Sequence, residues 1–500
     1  MIPRPRYLLE VVVFCVGMAS LGAEIAAARL LAPWFGASTI VWANTIATVL
    51  VALSIGYAIG GRLADRNPTM SGLATLVVVA AVLLAIVPFV SGPFLGQSVT
   101  AFEKLSGGLF LGSLVGVGLL IALPLLLLGM VSPYAVRLKL EQVGDAGKVA
   151  GRLSAISTIG ALVGTFSASL LLIPLIGTQR SFLLYALILA LVVIPTLGRR
   201  WLIPTVVAAI IAGLMFIPVG LTKTVTTSGK VIWEKETEYQ YARVIEHTDG
   251  KRVLELNEGQ AVHSIYRKNE YLMGGYWDSM FILSFAGEHP PESIVNLGSA
   301  AGTVARGIDH YFPDIDVDAV EIDPDVTEAG REFFDFHGKN ITTHNADARP
   351  WLQAQDKTFD SILVDAYRQP YIPFYLTTQE FFDEVRERLN QGGTVSVNVG
   401  HVPGNDDLEK VLTATMRASF GDGRVWRDPV SDTNTVLLAT KGDFDPAQQL
   451  READVPAEVQ PVAWTAADRL EPGLRGGTVY TDDRAPVEWL IDASLAGVAE

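Results

Sequence analysis

Seven apolar runs crowd the first 220 residues of the chain, at about 7–32, 40–61, 72–97, 108–134, 153–176, 179–198 and 201–219. A run of about 20 apolar residues can cross the hydrocarbon of a bilayer as a helix. A chain that holds several of them cannot be one water-soluble core. The composition agrees, with 50% hydrophobic residues, 18% charged residues and a mean hydropathy of +0.33. The first run is too long for a cleaved signal peptide, and more runs follow it. These features predict a multi-span α-helical membrane domain over 1–220, a multi-pass protein of the plasma (inner) membrane with the lipid bilayer as its partner. The formal charge of −15 argues against nucleic acid as a partner. The single cysteine, Cys15, lies inside the first run, so an intrachain disulfide and a multi-cysteine zinc site are excluded. No metal site is expected.

Two features of the membrane half draw the eye. Glu24 and Arg29 fall within or near the end of the first run, where an ionisable group faces protein or a water cavity, as a functional group or a structural hydrogen bond. Gly56 and Gly60, four residues apart, permit close helix packing, and Arg62, Asp65 and Arg66 then mark the membrane exit. The stretch 56–66 is similar to the loop between spans two and three of major-facilitator transporters. It reads more simply as a packing face followed by cytoplasmic anchors. Pro133 is expected to kink or end the fourth helix, since it cannot donate a backbone hydrogen bond.

From about residue 221 the pattern changes to short alternating segments. Strands are predicted at 224–227, 231–235, 241–247 and 253–256, with turns at Asp249-Gly250 and Asn257-Glu258-Gly259. This small β-region (221–290) precedes a strand–helix alternation (291–445). Its strands fall at 294–297, 315–320, 359–364, 393–399 and 434–439, with a further one ending near Asp347. Helices fall at 379–389 and 406–418. Such alternation predicts an α/β domain with a mostly parallel, Rossmann-like sheet, which binds ligands at the carboxyl ends of its strands. Residues 446–500 read as a C-terminal extension.

Between Ser293 and Asp347 the sequence suits a nucleoside. The strand Ile294-Val295-Asn296-Leu297 breaks at Gly298-Ser299-Ala300-Ala301-Gly302. Gly298 and Gly302 lack a Cβ, which would let the backbone approach a ligand. About 20 residues on, Glu321 ends the second strand, where a carboxylate can accept hydrogen bonds from both ribose hydroxyls. Asp347 follows the third strand and can meet an adenine amino group. An ordinary βαβ unit with a tight turn would show the glycines, but not both acids.

At these residues the chain resembles the spermidine synthase (polyamine aminopropyltransferase) family, over roughly 223–440. The stretches Arg29-Leu30-Leu31-Ala32-Pro33-Trp34-Phe35-Gly36 and Gly60-Gly61-Arg62, and the tail Thr481-Asp482-Asp483-Arg484-Ala485-Pro486-Val487-Glu488, resemble its membrane-fused bacterial branch. The resemblance implies a class I methyltransferase-like fold behind a small N-terminal β-domain. It implies S-adenosylmethionine or decarboxylated S-adenosylmethionine as group donor and an amine or other small molecule as acceptor. It implies that Gln240 contacts the nucleoside, that Glu321 holds the ribose and that Asp347-Ala348 form the adenine-side pair. The chain departs from the family at three places. Ala301 stands where the glycine loop carries an aspartate, Trp277 in Tyr276-Trp277-Asp278 where the family has a histidine, and Arg368 where the catalytic loop has its second aspartate after Asp365. An arginine cannot act as general base and repels a cationic polyamine.

Three functions stay open on the sequence. The soluble half transfers a group to an acceptor other than putrescine, with Asp365 and Tyr367 nearest the sulfonium. Or it is an aminopropyltransferase that uses Asp365 or another base, such as Asp278. Or it is a nucleoside or polyamine sensor coupled to a transporter-like membrane half. Self-association through the soluble half is left open. The basic residues Arg4, Arg6, Arg62, Arg66, Arg137, Lys139, Lys148, Arg152, Arg199 and Arg200 collect on one face if the N-terminus is cytoplasmic, against Arg29, Lys104 and Arg180 on the other. Seven spans then leave the soluble half on the outer face, away from cytoplasmic adenosyl donors. The weak point is 201–219, which is short and holds Pro204.

Overall fold

The computed structural model describes residues 7–35, 39–102, 108–140, 142, 145–197, 201–217, 229–257, 261–367 and 371–495. The chain divides into two compact units, Met1–Thr224 and Val225–Glu500.

The first unit is helical: α1 (Leu8–Phe35), α2 (Thr39–Arg66), α3 (Met70–Phe102), α4 (Gly108–Lys139), α5 (Ala146–Ser167), α6 (Ile173–Val192) and α7 (Leu202–Leu214). Small residues set its closest contacts. A Cβ on Gly56 would run into the Leu126 carbonyl, and one on Gly60 into the backbone of Met130, so α2 and α4 pack backbone to backbone as the spacing predicts. Gly160 and Gly164 of α5 meet the backbone of Phe14 and Met18 on α1 in the same way. Glu24 and Arg29 both lie half-buried within α1. Pro133 does not end α4, which runs on to Lys139. A proline costs one hydrogen bond, and the long contact with α2 outweighs it. The Tyr134 hydroxyl beside it donates to the Asn67 carbonyl (2.7 Å) and accepts from the Thr69 N–H (3.2 Å), pinning the α2–α3 connection.

Among the described residues, five helical stretches are long and apolar enough to cross a membrane: Leu8–Phe35, Val41–Arg66, Met70–Ser98, Leu111–Lys139 and Ala146–Thr196. The last is broken at Gly177 (φ 80°, ψ 167°). The Tyr185 hydroxyl hydrogen-bonds the Gly164 carbonyl at 3.0 Å. In a straight helix those residues would stand about 30 Å apart, so the chain reverses at Gly177 and the stretch is two arms. The seventh predicted span is shorter than expected. Its helix, α7, has 13 residues, about 20 Å, against a hydrocarbon thickness of about 30 Å.

The second unit opens with an antiparallel four-stranded sheet, β1 (Gly229–Glu236), β2 (Tyr241–His247), β3 (Arg252–Leu256) and β4 (Val262–Tyr266). The predicted strand at 224–227 lies outside the described residues, as do Glu258 and Gly259 of the predicted turn. The main sheet holds β5 (Ser293–Leu297), β6 (Asp316–Glu321), β7 (Ile341–Asn345), β8 (Phe359–Val364), β9 (Leu389–Gly400), β10 (Val425–Ser431), β11 (Asn434–Thr440) and β12 (Glu471–Pro472), in the order β12-β10-β11-β9-β8-β5-β6-β7. The five strands from β7 to β9 are parallel, and β11, β10 and β12 are antiparallel to their neighbours. The helices are α8 (Gly275–Leu283), α9 (Thr303–Tyr311), α10 (Pro324–Phe333), α11 (Ala348–Gln353), α12 (Gln379–Arg388), α13 (Asp407–Phe420), α14 (Pro446–Glu452), α15 (Gln460–Arg469) and α16 (Val487–Leu495). This is an α/β Rossmann-like unit of the methyltransferase type. Strand β10 was hidden in the sequence by Pro429, which sits beyond the two residues that β12 covers, on an open edge where no N–H is needed.

Candidate active site

The parallel pairing sets the site. Leu297 lies beside Val320 on one side and Val364 on the other, and Val364 lies beside Val397. Gly298, Glu321 and Asp365, at or just past the ends of β5, β6 and β8, therefore share one edge with Asn398. Asp347 stands two residues past β7.

The turn after β5 is built on positive φ at Gly298 (88°), Ala300 (46°) and Gly302 (84°). The two glycines were expected to clear space for a ligand. They clear it for the protein instead. A Cβ on Gly298 would lie 2.5 Å from the Ala366 Cα and the Asp365 carbonyl, and one on Gly302 would enter the Phe336 ring. The turn is propped by Glu321, whose carboxylate accepts the Ala300 N–H (2.9 Å) and the Asp323 N–H (3.0 Å). Its other lone pairs remain. Burial pushes the Glu321 carboxyl up to about 7, against the pull of those two N–H groups. Ala301 is buried and donates its N–H to Ser264 Oγ (3.0 Å), tying β4 to the turn.

Gln240 is buried beside Asp323, with Nε2 3.4 Å from Asp323 Oδ2. Asp347 accepts the Tyr375 hydroxyl (2.9 Å) on Oδ2, while its Oδ1 and the Ser299 hydroxyl are buried with no partner among the described residues. Ala348, buried, opens α11 directly after Asp347. This donor set fits a nucleoside: a buried carboxylate at the end of β6, an unmatched carboxylate oxygen two residues past β7 and an unmatched hydroxyl.

Asp365 accepts from Asn398 Nδ2 (2.8 Å), and Asn398 Oδ1 in turn accepts from Asn434 Nδ2 (3.1 Å). Burial raises the Asp365 carboxyl to about 7. Hydrogen bonds from Asn398 and the Tyr276 hydroxyl oppose the rise, and the Glu321 charge adds to it. Asp365, Tyr276, Trp277, Tyr367, His263 and Asn398 are among the lining of a cavity of about 530 Å³. Tyr367 reaches this cavity with its hydroxyl already committed. It donates to the Asn398 carbonyl (2.9 Å) and accepts the Gly400 N–H (2.8 Å), and burial holds its proton far more tightly than in a free tyrosine. It is a strut of the site, not an acid or base. Asp278, the other candidate base, accepts the Met273 N–H (2.8 Å) and fixes the loop before α8. Arg368 lies outside the described residues.

Asn398, Asn434 and His263 were not singled out from the sequence, because each sits in an apolar strand pattern that reads as core. Nor was Arg349. It is buried and gives two hydrogen bonds to Glu384 (2.9 and 2.7 Å), two to Asp482 (2.7 and 2.8 Å) and one to the Tyr375 carbonyl (3.0 Å). Asp482 belongs to the tail whose pattern resembles the membrane-fused branch.

Residues 279–421 match the family described as "Spermine/spermidine synthase domain". That stretch of the chain is similar to the spermine/spermidine synthase family. A relative from Bifidobacterium longum, named "Probable polyamine aminopropyl transferase", is 29% identical over 309 residues, which is 57% of this chain and 68% of the relative. A "Polyamine aminopropyltransferase" of Corynebacterium efficiens is 25% identical over 440 residues, 83% of this chain and 81% of the relative. That second match is too long for the synthase unit alone and extends into the helical unit. The crystal structure of a probable spermidine synthase from Corynebacterium glutamicum covers 50% of this chain and 98% of its own, at 20% identity and a TM-score of 0.38.

Proposed function

We propose that the synthase unit transfers an aminopropyl group from decarboxylated S-adenosylmethionine, or a related group from S-adenosylmethionine itself, to an amine. The observation that carries this is Asp365. Its carboxyl is buried, oriented by Asn398 and Tyr276 and raised to about 7, close to the value a general base needs at neutral pH. The loss of the family's second aspartate therefore leaves one competent base. Glu321 would hold the ribose hydroxyls, Asp347 and the start of α11 the adenine, and Gln240 the nucleoside from the β1–β2 side. When bound, the donor supplies a carbon activated by a sulfonium that leaves as a neutral thioether. Ionised Asp365 takes the proton from the acceptor ammonium, freeing the nitrogen lone pair to form the new N–C bond as the C–S pair returns to sulfur.

The donor site is tested by Glu321→Ala. This removes the ribose-facing carboxylate and the prop under Ala300, and should weaken donor binding by about 1.5–3 kcal/mol, as for hydrogen bonds to charged groups. Glu321→Gln should retain part of it. Calorimetry on the full-length protein decides, and unchanged affinity would show that the nucleoside lies elsewhere. Binding without transfer to any amine would favour a sensor.

For the helical unit we propose six crossings: α1, α2, α3, α4 and the two arms that meet at Gly177. The short α7 then does not cross, and the N-terminus and the synthase unit share the cytoplasmic face. This departs from the seven-span expectation of an outer-face unit, and it gives the enzyme its cytoplasmic donor. A reporter fused after Glu500 should give green fluorescence without alkaline phosphatase activity. The reverse pattern restores a seventh span.

A further inference from the structure

We propose that the acceptor is a primary amine with an apolar body, not a diamine. This rests on the transferase reading above and concerns the cavity at Asp365. Its volume, about 530 Å³, lies in the range of small-molecule pockets. Asp365 is the carboxylate that lines it among the described residues. Part of the lining is aromatic, where the Tyr276 and Trp277 rings pack with centroids 4.2 Å apart and planes tilted by 30°. The part supplied by the loop after β9, by α13 and by α16 is apolar: Val402, Pro403, Leu408, Leu490 and Ile491. Leu408 and Ile491 are buried members of the hydrophobic core, so this wall is fixed. Burial pushes His263 down to about 4, so it is neutral and does not repel an amine.

One carboxylate suits one ammonium. The rest of the acceptor meets mainly aromatic and aliphatic carbon, with the amides and hydroxyls of Asn405, Ser431, Thr433 and Asn434 and the His401 ring as the remainder. An alkyl or aryl body gains from leaving water there, whereas a second ammonium loses its hydration against a surface whose described residues offer no second counter-charge. Trp277 enlarges the apolar share at the position where the family resemblance implies a histidine.

The test uses full-length protein saturated with 5′-methylthioadenosine, the nucleoside expected to remain after aminopropyl transfer. Two amines with equal numbers of non-hydrogen atoms are titrated by calorimetry, 1-aminopentane and 1,4-diaminobutane. 1-Aminopentane should bind at least tenfold more tightly. Val402→Asp, at a half-buried position in the loop after β9, should reverse the order while leaving nucleoside binding unchanged. Equal or tighter binding of 1,4-diaminobutane by the unaltered protein overturns the proposal. So does nucleoside binding with no binding of either amine, or an unchanged order in Val402→Asp. Failure of the nucleoside itself to bind overturns the donor assignment and this proposal with it.

Discussion

Asp365→Asn should lower the transfer rate by about 10²–10⁴-fold, the range for loss of a general base, with little change in donor affinity. The substitution is nearly isosteric, and the asparagine oxygen can still accept from Asn398. The unaltered protein should show a rate that rises with pH through about 7 and then levels, because only the carboxylate form of Asp365 accepts a proton. The variant should lose that rise. Stability should move the other way. The folded state holds this proton more tightly than an unfolded aspartate with its ordinary value near 3.8. The stabilisation from that proton is therefore complete below about 4 and is lost as pH climbs through 7, roughly 1.4 kcal/mol for each unit crossed. At pH 8 Asp365→Asn should be at least as stable as the parent. A variant that keeps its rate, or unfolds more readily at pH 8, would remove Asp365 from the role of base.

Arg349→Ala should be the most damaging substitution away from the chemistry. It leaves the Tyr375 carbonyl and two neighbouring carboxylates, Glu384 and Asp482, without the cation they share. Breaking a fully buried pair costs about 3–5 kcal/mol. The Asp482 side chain is 44% exposed, so about 2–4 kcal/mol is expected here. The loss should be local. Asp482 also accepts from Thr378 (2.7 Å), and the Tyr480 carbonyl accepts the Gln379 N–H (2.8 Å), so the tail is fastened at the start of α12. Hydrogen exchange should show faster opening of peptides over 473–491. Donor binding should weaken too, since Tyr375 carries both a carbonyl held by Arg349 and the hydroxyl that holds Asp347. Arg349→Lys should rescue little, because one ammonium cannot make both forked contacts. Unchanged exchange in the tail would sink the clamp.

Much of the synthase unit was legible because its strands are bounded by strong signals. Residues 241–247 and 359–364 were read with the bounds they adopt, one closing on Asp249-Gly250 and the other on Asp365. Glu321 was visible because a period-2 apolar strand ends there in an acid, and Asp347 because an acid follows closely on the third strand. Other features were illegible because they depend on long-range partners. Nothing local marks Asn398 as the group that orients Asp365, 33 residues away, or Arg349 as the partner of Asp482, 133 residues away. The glycines of the turn were noticed for their missing Cβ, but what occupies the cleared space is Ala366 and Phe336, and their positive φ was not read. In the helical unit apolar length alone predicted seven crossings, and length could not show where α7 stops.

Burial raises both Asp365 and Glu321 to about 7, and the Glu321 charge adds to the rise at Asp365. Near neutral pH each is therefore poised between its charged and neutral forms. A sulfonium placed beside them favours both carboxylates and drives off whatever proton is present. Once sulfur has become a neutral thioether, that attraction is gone, and the proton taken from the amine already sits on Asp365. The site would thus grip the cationic donor and release the uncharged product with no moving part, its affinity reset by a single proton at each turnover.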